Sequence, residues 1–258
     1  SIAFEKAGII KRGVPVVLGR LDEEARRTIE QVAQERQAPV LRLDEDFRIE
    51  GESPAYFSYR GLGLQYDGLT CALEGRHQLD NAACALALLE AAAPQGVRVT
   101  AESVREGLRA VNRAGRLEVV DHHPTILLDG AHNPAAAGVL ADYLTHSVRS
   151  HPSRRVVLVL GMMRDKDHRG FVEPLRGLVD EVVLTQANLP RSATAQELCA
   201  SLVDVFPSAH IASSLSEAMA LARQLAGPED LICVTGSLML VGECHAWFRG
   251  CGLSPLRG

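Results

Sequence analysis

Ile126-Leu127-Leu128-Asp129-Gly130-Ala131-His132-Asn133-Pro134 is an apolar run that ends in an acid and a glycine, and its proline opens an alanine-rich helical pattern. The stretch reads as a strand-to-helix corner, with Asn133 suited to the N-cap and Pro134 to the first helical position. Turn chemistry accounts for those two residues and leaves Asp129 and His132 over. In a parallel sheet both would lie beyond the carboxyl end of a strand, where α/β proteins place ligands. The plainer alternative has Asp129 satisfying loop amides and His132 solvated.

Downstream of Arg116 the sequence repeats this arrangement. Apolar strands at 126–128, 156–160, 181–184, 209–212 and 231–235 interleave with helical patterns at 134–148, 168–178, 195–205, 215–226 and 238–249. Five such units predict an α/β domain with a doubly wound, mostly parallel sheet. Thr194-Ala195-Gln196-Glu197 is a capping box. Two further strand ends carry polar or glycine-rich turns, Gly161-Met162-Met163-Arg164-Asp165-Lys166-Asp167 and Thr235-Gly236-Ser237, and all three are expected along one sheet edge. Gly236-Ser237 offers amides and a hydroxyl to a carboxylate or phosphate, or serves as an ordinary cap. Asp165 and Asp167 fit a solvated capping loop as well as they fit substrate contact.

Toward the N-terminus, Val14 to Leu18, a helix over 22–37 and Val40-Leu41-Arg42-Leu43 form a β-α-β unit with parallel strands. Tyr56-Phe57-Ser58-Tyr59, Gly63-Leu64-Gln65-Tyr66 and Thr70-Cys71-Ala72-Leu73 predict a small antiparallel addition. A helix entered at Gly75 and ended by Pro94 turns Leu79, Ala82, Ala83, Leu86 and Leu89 inward, with Asn81 the polar exception; Thr100 caps the next helix. Asn112-Arg113-Ala114-Gly115-Arg116 breaks the pattern, placing a domain boundary between 1–116 and 117–258. Glu5-Lys6-Ala7-Gly8-Ile9 reads as a helix end with Gly8 as C-cap. Arg116 is suited to clamp a phosphate or to form a salt bridge.

The 258 residues are 47% apolar and 23% charged, enough for two buried cores. A net charge of −5 gives no electrostatic reason for a nucleic-acid or membrane partner. No apolar stretch approaches the roughly 20 residues of a membrane span, and no signal-peptide pattern opens the sequence, so a cytoplasmic location is expected. Cys71, Cys84, Cys199, Cys233, Cys244 and Cys251 include no Cys-x-x-Cys pair and read as reduced thiols rather than zinc ligands. Neither Gly-x-x-x-x-Gly-Lys-Ser/Thr nor Gly-x-Gly-x-x-Gly after a strand occurs. Ser1-Ile2-Ala3-Phe4-Glu5-Lys6 opens in mid-pattern, as a fragment would.

Six motifs follow in order: Glu5-Lys6-Ala7-Gly8-Ile9-Ile10 with Pro15-Val16-Val17, Gly75-Arg76-His77-Gln78-x-x-Asn81-Ala82-Ala83, Gly115-Arg116-Leu117-Glu118, Asp129-Gly130-Ala131-His132-Asn133-Pro134, Gly161-Met162-x-x-Asp165-Lys166-Asp167 and Thr235-Gly236-Ser237-Leu238. Together they resemble the folylpolyglutamate synthase/dihydrofolate synthase family of the Mur-ligase superfamily. The resemblance implies a C-terminal portion of a Mur-type ATP-binding domain followed by a Rossmann-like ligase domain. It also implies an acid–amino-acid ligase that uses ATP and Mg²⁺. A folate or dihydropteroate carboxylate would be phosphorylated to an acyl phosphate, which the amine of L-glutamate then attacks.

Carried over residue by residue, Lys6 matches a lysine that is carbamylated to present oxygen to Mg²⁺, and Asn81, Arg116 and Asp129 match nucleotide-contacting positions. His132 and Ser237 match positions near the incoming glutamate and the reacting phosphate. The resemblance gives Asp165, Asp167 and Arg191 no role. It implies a cytoplasmic monomer with small-molecule substrates and no nucleic-acid or membrane partner. Because the family's P-loop motif is not among these residues, the 258 residues alone are expected to lack catalysis. A cell-wall ligase of the Mur type and an inactive nucleotide-binding module are the alternatives; the Glu-Lys-Ala-Gly-Ile and His-Gln-x-x-Asn stretches favour the folate branch.

Overall fold

The computed structural model describes residues 2–73, 75–111 and 114–250; the expected thiol of Cys251 and the break at Asn112-Arg113 lie outside them. The protein divides into two compact units, Ser1–Asn112 and Arg113–Gly258.

In the first unit, α1 (Ile2–Ala7) precedes β1 (Val16–Leu18), α2 (Glu23–Glu35) and β2 (Val40–Arg42), with β1 and β2 parallel. Asp22 caps α2 by accepting the Ala25 N–H at 2.7 Å, and Val32 and Ala33 bury its inner face with Ala7, Ile10 and Ala38. An antiparallel sheet follows, β3 (Arg48–Ser53), β4 (Tyr56–Arg60) and β5 (Gln65–Leu69), and then α3 (His77–Ala92) and α4 (Ala101–Ala110). The expected strand at 70–73 is not formed; Arg48–Ser53 is the third strand instead. Its charges hide it from a periodicity reading but suit an exposed edge, where Glu50 pairs with Arg48 and Arg60. Residues 71 and 72 spend their amides elsewhere, on Pro54 O and Leu108 O. Glu90 joins α3 to the sheet: one oxygen accepts the buried Tyr59 hydroxyl at 2.6 Å, and the other accepts the Gly63 and Leu64 amides. Burial and this carboxylate push the Tyr59 phenol far above its usual range.

The second unit runs β6 (Glu118–His122), β7 (Thr125–Leu128), α5 (Pro134–Ser150), β8 (Val156–Leu160), α6 (His168–Val172), β9 (Glu181–Leu184), α7 (Ala195–Leu202), β10 (His210–Ile211), α8 (Leu215–Leu225), β11 (Leu231–Thr235) and α9 (Leu238–Phe248). The sheet order is β10-β9-β8-β11-β7-β6, parallel except that β6 runs antiparallel on β7. The helix expected over 168–178 stops early, because Pro174 sits in a 3₁₀ turn and Arg176 is extended.

Leu127, Leu158, Leu184 and Cys233 face α5, α6 and α7, while Ile126, Val157, Val159 and Val234 face α8 and α9. Coverage on both faces explains why β8 and β11 are unbroken apolar runs. β11 enters last, between β8 and β7, so the backbone leaves β7 and β8 toward one face and β11 toward the other. That crevice is the topological switch point. The cysteines at 71, 84, 199, 233 and 244 are free thiols, and among the described residues no helix is long and apolar enough to cross a membrane.

Leu158 is fully buried between β11 and β9. Leu158→Ala is expected to cost about 2–5 kcal/mol of unfolding free energy, against under about 0.5 kcal/mol for Val119→Ala on the exposed edge. Urea titrations of both variants check the contrast.

Candidate functional site

At the switch point three strand ends interlock through the backbone. The Asp129 N–H donates to Val234 O at 3.0 Å, the Gly236 N–H to Ala131 O at 3.0 Å and the Gly161 N–H to Thr235 O at 3.2 Å. Glycine permits the approach: at Gly236, φ is +98° and a Cβ would fall 2.7 Å from Leu160 Cδ1 and 2.8 Å from Gly161 O. At Gly130 a Cβ would fall 2.2 Å from Cδ2 of the exposed Leu238 side chain, which would have to shift.

Asp129 is 6% exposed, and its carboxylate serves two backbone amides, that of Leu117 at 3.0 Å and that of Ala131 at 2.9 Å. The Gly130 N–H donates to Gly115 O at 2.8 Å. From the other side, Glu118 Oε2 accepts the Gly115 N–H at 2.7 Å and lies 2.9 Å from His245 Nε2. Residues 115–118 thus form a strap fastened to the β7 corner, with Leu117 buried at a φ of 46°. Arg116 sits at its middle, half-buried. Neither the salt bridge open to it from sequence nor a hydrogen bond of its side chain is found among the described residues.

His132 is half-buried, with Nδ1 2.9 Å from Gly130 O. A carbonyl accepts only, so Nδ1 donates to it, and in the neutral tautomer that this bond selects the lone pair is on Nε2. Ser237 is buried and caps α9, its Oγ accepting the Met239 N–H at 3.1 Å, and its hydroxyl hydrogen remains available to donate. Asn133 caps α5 and Pro134 occupies its first turn, as the corner predicts.

The 161–167 loop is divided in its work. Asp167 caps α6 through the Gly170 N–H at 2.9 Å, while Asp165 is exposed. The Arg164 N–H donates to Arg191 O at 3.0 Å, and its guanidinium reaches Glu197 at 3.2 Å, within the capping box of α7. The fold therefore brings the Asp165 and Arg191 motifs together, a pairing with no signal in the sequence.

In the first unit, Lys6 is exposed at the end of α1 and Asn81 is exposed just past the first turn of α3, donating to the buried Gln78 Oε1 at 2.9 Å. The helix of Lys6 ends as expected, with the Gly8 N–H on Glu5 O at 3.1 Å. Beside Asn81, Arg20 bridges Asp80 at 2.9 Å and Asp44 at 2.8 Å. Asp80 shares a helix turn with Asn81, but a lone arginine after Gly19 gave no reason to join it to them. Among the described residues no group of three His, Cys, Asp or Glu side chains is placed to hold a metal ion.

Residues 115–238 match the family model described as Mur ligase, glutamate ligase domain. A dihydrofolate synthase/folylpolyglutamate synthase from Mycobacterium tuberculosis is 32% identical over 96% of this chain and 56% of its own length. The structure of the folylpolyglutamate synthase of that organism complexed with ADP superposes with a TM-score of 0.86 at 31% identity, covering 98% of this chain and 59% of that one. The bifunctional enzyme from Yersinia pestis complexed with AMPPNP and Mn ion does so at 0.82 and 32% identity, covering 96% and 56%. The 258 residues span little more than half the length of these relatives.

Asp129→Ala strands two buried amides, at about 1–3 kcal/mol each, so a loss of about 3 kcal/mol in urea unfolding is expected; a loss below about 1 kcal/mol would contradict the strap. Glu197 is held below the usual glutamate value of 4.5, first by the Thr194 backbone N–H and then by Arg164. A carboxylate depressed on folding stabilises above its unfolded pKa, and that contribution is lost as pH falls through the folded value. The stability difference between wild type and Glu197→Gln is expected at neutral pH and to vanish in acid; a pH-independent difference would refute this.

Proposed function

The chain belongs to the folylpolyglutamate synthase/dihydrofolate synthase family of the Mur-ligase superfamily, and from that premise we propose that it carries the glutamate-joining part of an ATP-dependent ligase acting on folate or dihydropteroate. The observation that carries the proposal is Arg116, a guanidinium held by its neighbours' backbone and left without a partner among the described residues. A phosphate suits it: Arg presents a planar fork that grips phosphate oxygens at two points.

In the second unit the division of labour follows from the contacts. Arg116 takes the nucleotide phosphates. Asp129, already committed to two amides, serves the nucleotide side by fixing the strap. His132 presents Nε2 where an incoming amine must shed a proton. Ser237 offers its hydroxyl, and α9 its first amides, to the glutamate carboxylate or the reacting phosphate. The folate-type carboxylate is phosphorylated by ATP, and the resulting acyl phosphate is attacked by the glutamate amine, releasing phosphate and forming the amide.

In the first unit, Asn81 presents an amide that donates and accepts toward a base edge. The exposed Lys6 amine is open to carbon dioxide, and its carbamate would supply one oxygen donor to Mg²⁺. When bound, that ion offsets phosphate charge. One donor does not make a magnesium site, so no step is assigned through the metal to these residues.

Arg116→Ala in the full-length protein is expected to lower kcat/KM for ATP by about 10- to 100-fold, the worth of a charged hydrogen bond. Steady-state assays with tetrahydrofolate or dihydropteroate plus L-glutamate check it, with a uridine-diphosphate muramyl substrate as control. An unchanged KM for ATP with unchanged turnover would overturn the assignment, and activity on the muramyl substrate alone would move the protein to the cell-wall branch.

A further inference from the structure

Away from the switch point, at the carboxyl ends of β9 and β10, a cleft of about 680 Å³ opens. Its walls are the loop 186–190, the first turn of α8 and one face of α9, all within the second unit. The volume falls inside the roughly 300–1,000 Å³ of small-molecule sites. None of the residues assigned to ligation lines it.

Two of its residues, Glu243 and Trp247, stand four apart on α9 and so share a helix face. Glu243 is 8% exposed. One of its oxygens accepts the Asn188 N–H at 2.6 Å, and no ion pair of this carboxylate is found among the described residues. Burial raises its pKa, and the Asn188 N–H offsets only part of that effect. A buried carboxylate without a cation is costly to keep. The exposed Trp247 has Phe248 edge-on at 5.0 Å, and Arg223, itself paired to Asp121 at 2.8 Å, lies 5.8 Å from its ring centre. Leu189 and Leu215 add apolar wall.

The charge pattern selects the ligand. Among the described residues no lysine, arginine or histidine lines the cleft. The start of α8, which would otherwise attract an anion, is already served by Glu217, whose Oε2 accepts both the N–H and the hydroxyl of Ser213. An anion would meet the Glu243 carboxylate and no cation in the wall; an ammonium would meet its counter-charge.

We propose that this cleft is a second binding site, taking a small primary ammonium with a flat apolar body, the ammonium on Glu243 and the body against Trp247. The site is independent of the ligase assignment, since its walls and its charge stand whether or not Arg116 binds nucleotide.

Trp247 is the only tryptophan in the sequence, so its fluorescence and its single indole N–H resonance report the cleft directly. Titrating the 258-residue protein with benzylammonium chloride is expected to shift both signals saturably, and benzyl alcohol, the neutral analogue, to bind about tenfold or more weakly. Glu243→Gln retains a carbonyl that can accept the Asn188 N–H but removes the charge, and is expected to weaken benzylammonium to the level of the alcohol. No saturable shift, equal binding of the two probes, or an undiminished response in a folded Glu243→Gln variant would overturn the site. The probe comparison needs no variant and stands even if the substitution disturbs folding.

Discussion

The buried carboxylate of Asp129 ties the segment 115–118 to the end of β7. Its two acceptor atoms serve the Leu117 and Ala131 amides, and the adjacent Gly130 N–H fastens Gly115. Leu117 sits at a positive φ, a conformation that costs a bulky side chain roughly 1–3 kcal/mol. The bonds on either side of it sustain that conformation. Arg116 owes its position to this arrangement, because both its neighbours are fixed through the backbone while its own side chain is spared.

Carboxylate and strap are placed in turn by the way β11 enters the sheet. It pairs with β7 on one side and β8 on the other, so the turns that follow these three strands meet at one edge. Apolar side chains fill both faces of the sheet, and the polar groups Asp129, His132 and Ser237 collect where the strands end. That partition is thermodynamic: charges and hydroxyls are cheap at a strand end with amides to receive them, and costly between packed layers. The same rule makes Glu243 conspicuous, as a carboxyl group buried beside a cleft with a single amide partner among the described residues.

Local chemistry was legible wherever the deciding partners lie within a few residues. Asn133, Thr194 with Glu197, and Thr100 cap the helices they were expected to cap. Four of the apolar runs of the second unit, at 126–128, 156–160, 181–184 and 231–235, are buried strands between amphipathic helices, whereas at 209–212 only His210–Ile211 pair, at the exposed edge of the sheet. Legibility failed where a segment is defined by its neighbour: Arg48–Ser53 is a strand because β4 supplies its hydrogen bonds, and 70–73 is not one because its amides are claimed elsewhere.

The sequence by itself determined the alternation of strands and helices, the caps, the doubly wound class and the family, since each rests on short-range periodicity or on ordered motifs. Only the tertiary structure decided that Asp129 faces the Leu117 amide, that Arg116 meets no partner among the described residues, that Arg164 ties its loop to those of Arg191 and Glu197, and that Glu243 lines a cleft. The physical reason is range. A cap or an amphipathic stripe is settled within a few residues of backbone, whereas a buried charge takes its meaning from the donor that folding sets beside it, 12 residues away for Asp129 and 55 for Glu243.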